Sequence, residues 1–250
     1  MCGNSLAQAG EIWAIDSMAL ISRQWKLLFI MPGGTGCSSI GRVMERELGA
    51  VYLPAKNLYR HGRMVFSRKH NSVEQLLARG FLMSDELEKL TVFATVRNAF
   101  DLVASNYARE ASGWLGGFPR DADGNLLPIP DDVMAQHQRR AQEIADAGFE
   151  RWVQARYGRL ARCRHQLKLR LKGQRETHYY RHVDQLVRFE HLERDFNAVL
   201  RSVGFPRPLV VPNVNPTLGR KPYRQYYTER ARCIVDRAFR DQLERFGYAF

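Results

Sequence analysis

Cysteine is scarce and scattered in this chain. Cys2, Cys37, Cys163 and Cys233 lie far apart with no C-x-x-C pair. That argues against a disulfide framework or a zinc site and suits a reducing compartment. Long apolar runs are also missing. The N-terminal patch Ile12–Ile21 is broken by Asp16 and has no basic leader, so it is too short for a membrane span and poor as a signal peptide. These absences predict a cytoplasmic chain without a transmembrane segment. There is no internal repeat and no linker that divides the 250 residues, which predicts a single domain over 1–250 with residues 1–25 as an N-terminal extension.

Acidic residues are in the minority. The 38 Lys+Arg against 26 Asp+Glu leave a formal charge of +12, which steers anions toward the surface. The excess is concentrated between Arg151 and His182, where ten Lys/Arg face one acid, Glu176. This stretch reads either as a solvated helix face or as a surface for an anionic partner, with peripheral membrane contact among the options. No zinc finger, RNP motif or basic zipper accompanies it, so nucleic acid is not the expected partner.

What is present alternates in type. Lys26–Met31 is a short apolar run followed at once by Pro32-Gly-Gly-Thr-Gly-Cys-Ser-Ser39, and Ile40, Val43, Met44 and Leu48 then recur at helical spacing before Gly49. Thr91–Val96 repeats the plan, with Phe100, Val103, Ala104 and Tyr107 on one helix face. Met64–Phe66 and Leu186–Phe189 are further short strands, and 72–80, 132–171, 192–203 and 228–246 are helical. Residues 112–130 form a Gly/Pro/Asp-rich loop suited to the acceptor side of a site. Alternating strands and helices predict an α/β fold with a mainly parallel, P-loop-like central sheet covered on both faces, whose ligands sit at the carboxyl ends of the strands.

Four segments carry the chemistry. The loop Gly33, Gly34, Thr35, Gly36, Cys37, Ser38, Ser39 opens a helix and can offer amides and hydroxyls to a phosphate or sulfate. It lacks the Lys that precedes Ser/Thr in nucleotide triphosphatases. Arg97 follows a strand and Ser105 lies two helical turns further on, so a guanidinium fork and a hydroxyl can converge on one phosphate, while Arg97 by itself also suits a helix-entry salt bridge. The third segment is Arg188-Phe-Glu-His-Leu-Glu-Arg-Asp-Phe196. The fourth, Val214–Tyr227, brings Arg220, Lys221 and Arg224.

In this order and spacing the segments resemble the Golgi-type carbohydrate sulfotransferases and their bacterial relatives. The match rests on Val96-Arg-Asn-Ala-Phe-Asp-Leu-Val-Ala-Ser-Asn-Tyr107, on Arg188–Phe196, on Asn215, Thr217 and Pro222–Tyr227, and on the ending Phe246-Gly-Tyr-Ala-Phe250. It covers about Lys26 to Phe250. The resemblance implies a donor, 3′-phosphoadenosine 5′-phosphosulfate, whose phosphosulfate lies on residues 33–39, whose 3′-phosphate meets Arg97 and Ser105, and over which Arg220 and Lys221 close. The product would be adenosine 3′,5′-bisphosphate, the acceptor a hydroxyl on a glycan or glycan-like molecule, and no metal is implied. The family loop's Lys is missing here, so either another cation enters the site, with Lys69 the choice and Arg68 and Arg63 as alternatives, or catalysis is weak, or the chain binds the nucleotide without the activity. His70 is the expected base for the acceptor proton, with His61 and Glu110 as rivals. The competing readings are a P-loop phosphotransferase and a basic nucleic-acid-binding protein without catalysis.

Overall fold

Every residue of Leu27–Pro32 is buried, and that all-apolar strand sets the centre of the fold. The computed structural model describes residues 17–55, 58–60, 63–66, 71–116, 118, 126–171, 179–214, 216–217 and 219–250. In chain order the elements are β1 Ser17–Ser22, β2 Leu27–Pro32, α1 Cys37–Leu48, β3 Val51–Tyr52, β4 Leu58–Arg60, β5 Arg63–Phe66, α2 Val73–Ala78, α3 Ser84–Leu87, β6 Thr91–Val96, α4 Ala99–Ala111, α5 Asp131–Tyr157, α6 Arg159–Leu171, β7 Gln185–Arg188, α7 Leu192–Ser202 and α8 Glu229–Phe246. They group into two compact units, Met1–Val96 with Thr177–Asn215, and Arg97–Glu176 with Pro216–Phe250.

The first unit is α/β. Its five strands run in the order β3-β1-β2-β6-β7. Strand alternation divides the side chains between two cores. Leu27, Phe29, Met31 and Phe93 pack with Ile40 and Met44 of α1 and with Phe196, Val199 and Leu200 of α7. Leu28, Ile30, Val92 and Ala94 pack on the opposite face with Val73 and Leu76 of α2 and with Leu82. Phe29 and Phe93 stack across the β2–β6 pair with ring centroids 4.5 Å apart. Helices therefore cover both faces, as expected from sequence.

The sheet is mixed, and here the expectation of a mainly parallel sheet needs correcting. β2, β6 and β7 are parallel, whereas β1 is antiparallel to both β2 and β3. The reason is connection length. β1 returns into β2 through the tight turn 23–26, which permits only a hairpin, while the parallel neighbours are joined by helical crossovers. Half of the N-terminal apolar patch is thus strand. The short strand expected at Met64–Phe66 is β5, which pairs antiparallel with β4 in a separate two-stranded sheet. The helix expected at 72–80 is α2, closed by a capping box between Ser72 and Gln75.

The second unit is helical. The polar stretch from Asp131 becomes α5, kinked at Gly148 (φ 78°), and α6. Its core is aromatic: Phe100 of α4 and Phe149 and Trp152 of α5 meet Tyr107, Tyr226, Tyr227 and Phe250. Tyr227 donates its hydroxyl to the Phe100 carbonyl at 2.9 Å. Among the described residues no helix is long and apolar enough to cross a membrane.

Burial pushes the Tyr157 phenol up to about 12, and it pushes Tyr227 up further, with Tyr157 and Asp101 adding to the effect. Both are held protonated in the folded state more firmly than in the unfolded one. The stability they contribute is complete below about pH 10 and is lost as the pH rises toward 12. Of the ten tyrosines, these two are expected to ionise last, in a step that coincides with loss of the native circular dichroism. An alkaline titration in which all ten phenols ionise around pH 10 while the protein stays native would contradict the packing described.

Candidate functional site

Two polar constructions answer the segments singled out in the sequence, one in each unit.

In the first unit, β2 leads through α1 to β3 on one side of the sheet, whereas β6 leads to β7 on the other. The carboxyl ends of β2 and β6 are therefore the topological switch point, where open α/β sheets place their ligands. The loop after β2 is built for a close backbone approach. Gly34 and Gly36 take left-handed φ values of 76° and 81°. Gly36 is needed there for conformation, and a Cβ on it would sit tightly, 3.0 Å from Leu192 Cδ2 and 3.1 Å from Phe189 Cδ2. Gly36 is also the N-cap of α1, and a glycine cap brings no side-chain acceptor to the amides of the first turn.

The hydroxyls of this loop are placed unequally. Thr35 is buried and donates to the Pro32 carbonyl at 2.6 Å, so its oxygen accepts the Thr95 hydroxyl, also at 2.6 Å. Thr35 thus ties the loop to β6 and is a positioning residue. Ser39 Oγ accepts the Val214 N–H at 3.3 Å. Ser38 is exposed, Cys37 is buried, and Gly33 is half-buried.

In the second unit, the helix that follows Arg97 presents a polar ridge. Asn98 caps α4 by accepting the Phe100 N–H at 3.0 Å and donates its amide to the Ala249 carbonyl at 2.9 Å. Arg97, only 4% exposed, grips Asp101 through Nε at 2.7 Å and Nη2 at 2.6 Å. Arg220 bonds the other carboxylate oxygen of Asp101 through Nη1 and reaches the Asp101 carbonyl at 3.2 Å. One turn on, Ser105 Oγ lies 3.1 Å from Thr217 Oγ1, and Arg109 donates Nε to the same oxygen at 3.0 Å. The Arg109 guanidinium also sits over the Trp114 ring, 4.6 Å from its centroid.

Positions 101, 105 and 109 are four apart and share one face of α4, along which Thr217 and Arg220 are laid. Arg97, Arg109 and Arg220 thus gather with Asp101, Ser105 and Thr217 along one ridge. Guanidinium groups and hydroxyls are the donor types that suit a phosphate.

The structure therefore brings Arg97 and Arg220 together through Asp101, and Ser105 into the same ridge through Thr217. Lys221 is exposed and enters through its backbone, whose N–H meets Tyr226 Oη at 3.2 Å. Sequence reasoning passed over Asp101 and Arg109. The available signal was the four-residue spacing of each, Asp101 from Arg97 and Arg109 from Ser105. The expected catalytic residues His70 and Lys69, with the alternatives Arg68 and His61, lie outside the described residues, as do Asn215 and residues 117 and 119–125 of the acceptor-side loop. Arg63 is in β5, described by its backbone alone. Glu110 accepts hydrogen bonds from Trp152 Nε1 at 3.0 Å and Arg156 Nη1 at 2.7 Å, a structural pairing for a residue named as a rival base. Among the described residues, no group of three or more His, Cys, Asp or Glu is arranged to hold a metal ion.

Removing Asp101 leaves two guanidinium groups without their shared counter-charge. Asp101→Ala is expected to cost about 3 kcal/mol, or roughly 6–12 °C in melting temperature. Added sulfate should raise the melting temperature of this variant more than that of the wild type. Melting curves that coincide for the two proteins would contradict the shared ion pair.

No family model matches the chain, and neither a curated protein nor a solved structure matches it.

Proposed function

We propose that this protein is a sulfotransferase on a P-loop-like α/β core, moving a sulfuryl group from 3′-phosphoadenosine 5′-phosphosulfate to an acceptor hydroxyl, on a glycan or a glycan-like small molecule, in the cytoplasm. The observation that supports it most is the ridge of α4, where Arg97, Arg109 and Arg220 outnumber Asp101 beside Ser105 and Thr217. The ridge sets three guanidinium groups and two hydroxyls, all hydrogen-bond donors suited to a phosphate, along one helix face. In this reading Arg97, Ser105 and Arg109 hold the 3′-phosphate that distinguishes the donor from ordinary nucleotides, with Arg220 and Lys221 covering the nucleotide.

The loop 33–39 is assigned the 5′-phosphosulfate. Its contribution is backbone: left-handed glycines at 34 and 36 and a helix start free of a side-chain cap. Thr35 keeps that loop in place through Thr95. Because no loop Lys is present, charge on the leaving side must be met by amides and an incoming cation, for which Lys69 is proposed, and His70 is proposed to take the acceptor proton. The donor supplies the activated sulfuryl group; the chain holds it and aligns the acceptor.

The direct test is transfer of labelled sulfate from the donor to a panel of sugars, alcohols and phenols. Incorporation is expected that is insensitive to chelators and to excess ATP. His70→Ala should lower kcat by about 10²–10⁴-fold with donor affinity nearly unchanged, and Lys69→Ala should also reduce kcat. Turnover abolished by chelation, or ATP competing as well as adenosine 3′,5′-bisphosphate, would point to a phosphotransferase.

A further inference from the structure

Helix α6 has a face that no packing among the described residues explains. At 100° per residue, Leu160, Leu167 and Leu171 fall within an arc of about 40°. All three point outward, with exposures of 75%, 57% and 79%. On the other side of the helix Arg162, about 200° around from Leu160, donates Nη1 to the Arg237 carbonyl of α8 at 3.3 Å.

The charge of the same helix is of one sign. α6 contains Arg159, Arg162, Arg164, Lys168 and Arg170 and not one Asp or Glu. Arg159 and Arg164 are exposed. Three outward leucines set among cations form a combination that water alone does not reward: the apolar row calls for an apolar medium, and the cations call for anions at its edge. A bilayer surface that carries acidic headgroups offers both within a few ångströms.

We infer that α6 docks this protein on anionic membrane, lying in the plane of the interface with Leu160, Leu167 and Leu171 in the acyl boundary and Arg159 and Arg164 among the headgroups. The helix has 13 residues, about 20 Å in length, which is well short of the roughly 30 Å hydrocarbon core, so it rests on the membrane and does not span it. Nucleic acid satisfies the cations and leaves the leucines in water. A second copy of the chain covers the leucines and sets five cations against five. The inference is independent of the sulfotransferase reading and would give that activity, or any other, a membrane address.

The test is co-sedimentation of the full chain with vesicles of phosphatidylcholine alone and of phosphatidylcholine with phosphatidylserine. Binding is expected to the second only, weakening with salt. The variant Leu160→Ser/Leu167→Ser/Leu171→Ser keeps every charge and should lose at least about 100-fold in partitioning, with an unchanged melting temperature because the replaced side chains are exposed. Arg159→Gln/Arg164→Gln should lose about 10- to 30-fold. Vesicle binding by the serine variant equal to that of the wild type would overturn the inference. So would retention on a duplex oligonucleotide that matches vesicle binding and ignores the leucines, or a wild-type dimer that the serine variant abolishes.

Discussion

One carboxylate shared by two guanidinium groups organises the helical unit. Asp101 takes the fork of Arg97 on one oxygen and Arg220 on the other, and this joins the residue that enters α4 to a segment more than a hundred positions later. Other contacts gather at the same helical turn. Tyr227 bonds the Phe100 carbonyl, Asn98 reaches Ala249, and the rings of Phe100 and Phe250 meet edge to face at 5.0 Å. With the closing segment fixed by Asp101, Thr217 is held beside Ser105 and Arg109. A buried ion pair of this kind contributes little net stability, since desolvation offsets its attraction. What it provides is placement: guanidinium groups held in register along one helix face.

The loop after β2 follows a different logic. The buried hydroxyl of Thr35 is committed to Pro32 and Thr95, and so it defines the loop's position without facing a ligand. The parallel pairing of β2 with β6 puts Thr95 within reach, because the two strands end side by side at the switch point. Left-handed glycines then bring the backbone itself to the surface. The loop carries no lysine, so in the proposed reading its amides act together with a cation from elsewhere in the chain.

Much of this was legible in the sequence where a pattern has a single physical cause. The strands at 27–32 and 91–96 and the helices after them follow from apolar runs, helical spacing and glycine stops. The Arg97–Ser105 spacing marked the ridge. Sheet direction was not legible at the edge. A strand at 17–22 looks like any apolar patch until its hairpin with β2 is seen, and only the turn length makes the pairing antiparallel. Thr35 could be counted as a hydroxyl for ligand, yet whether it turns outward or toward Thr95 depends on a strand 60 residues away. Asp101 was part of the quoted motif, but its role as the common partner of two arginines required the fold to bring Arg220 beside it.

Recognition of a 3′-phosphate by the α4 ridge is the central claim, and a thermodynamic cycle tests it most directly. Calorimetry would compare adenosine 3′,5′-bisphosphate with adenosine 5′-monophosphate, on the wild type and on Arg97→Ala, with Arg109→Ala as the less buried companion. For the wild type, loss of the 3′-phosphate should weaken binding by about 10- to 150-fold, the worth of a charge-assisted hydrogen bond. For either variant the two nucleotides should bind with nearly the same affinity. Equal affinities for both nucleotides in the wild type, or an undiminished difference in both variants, would contradict the claim.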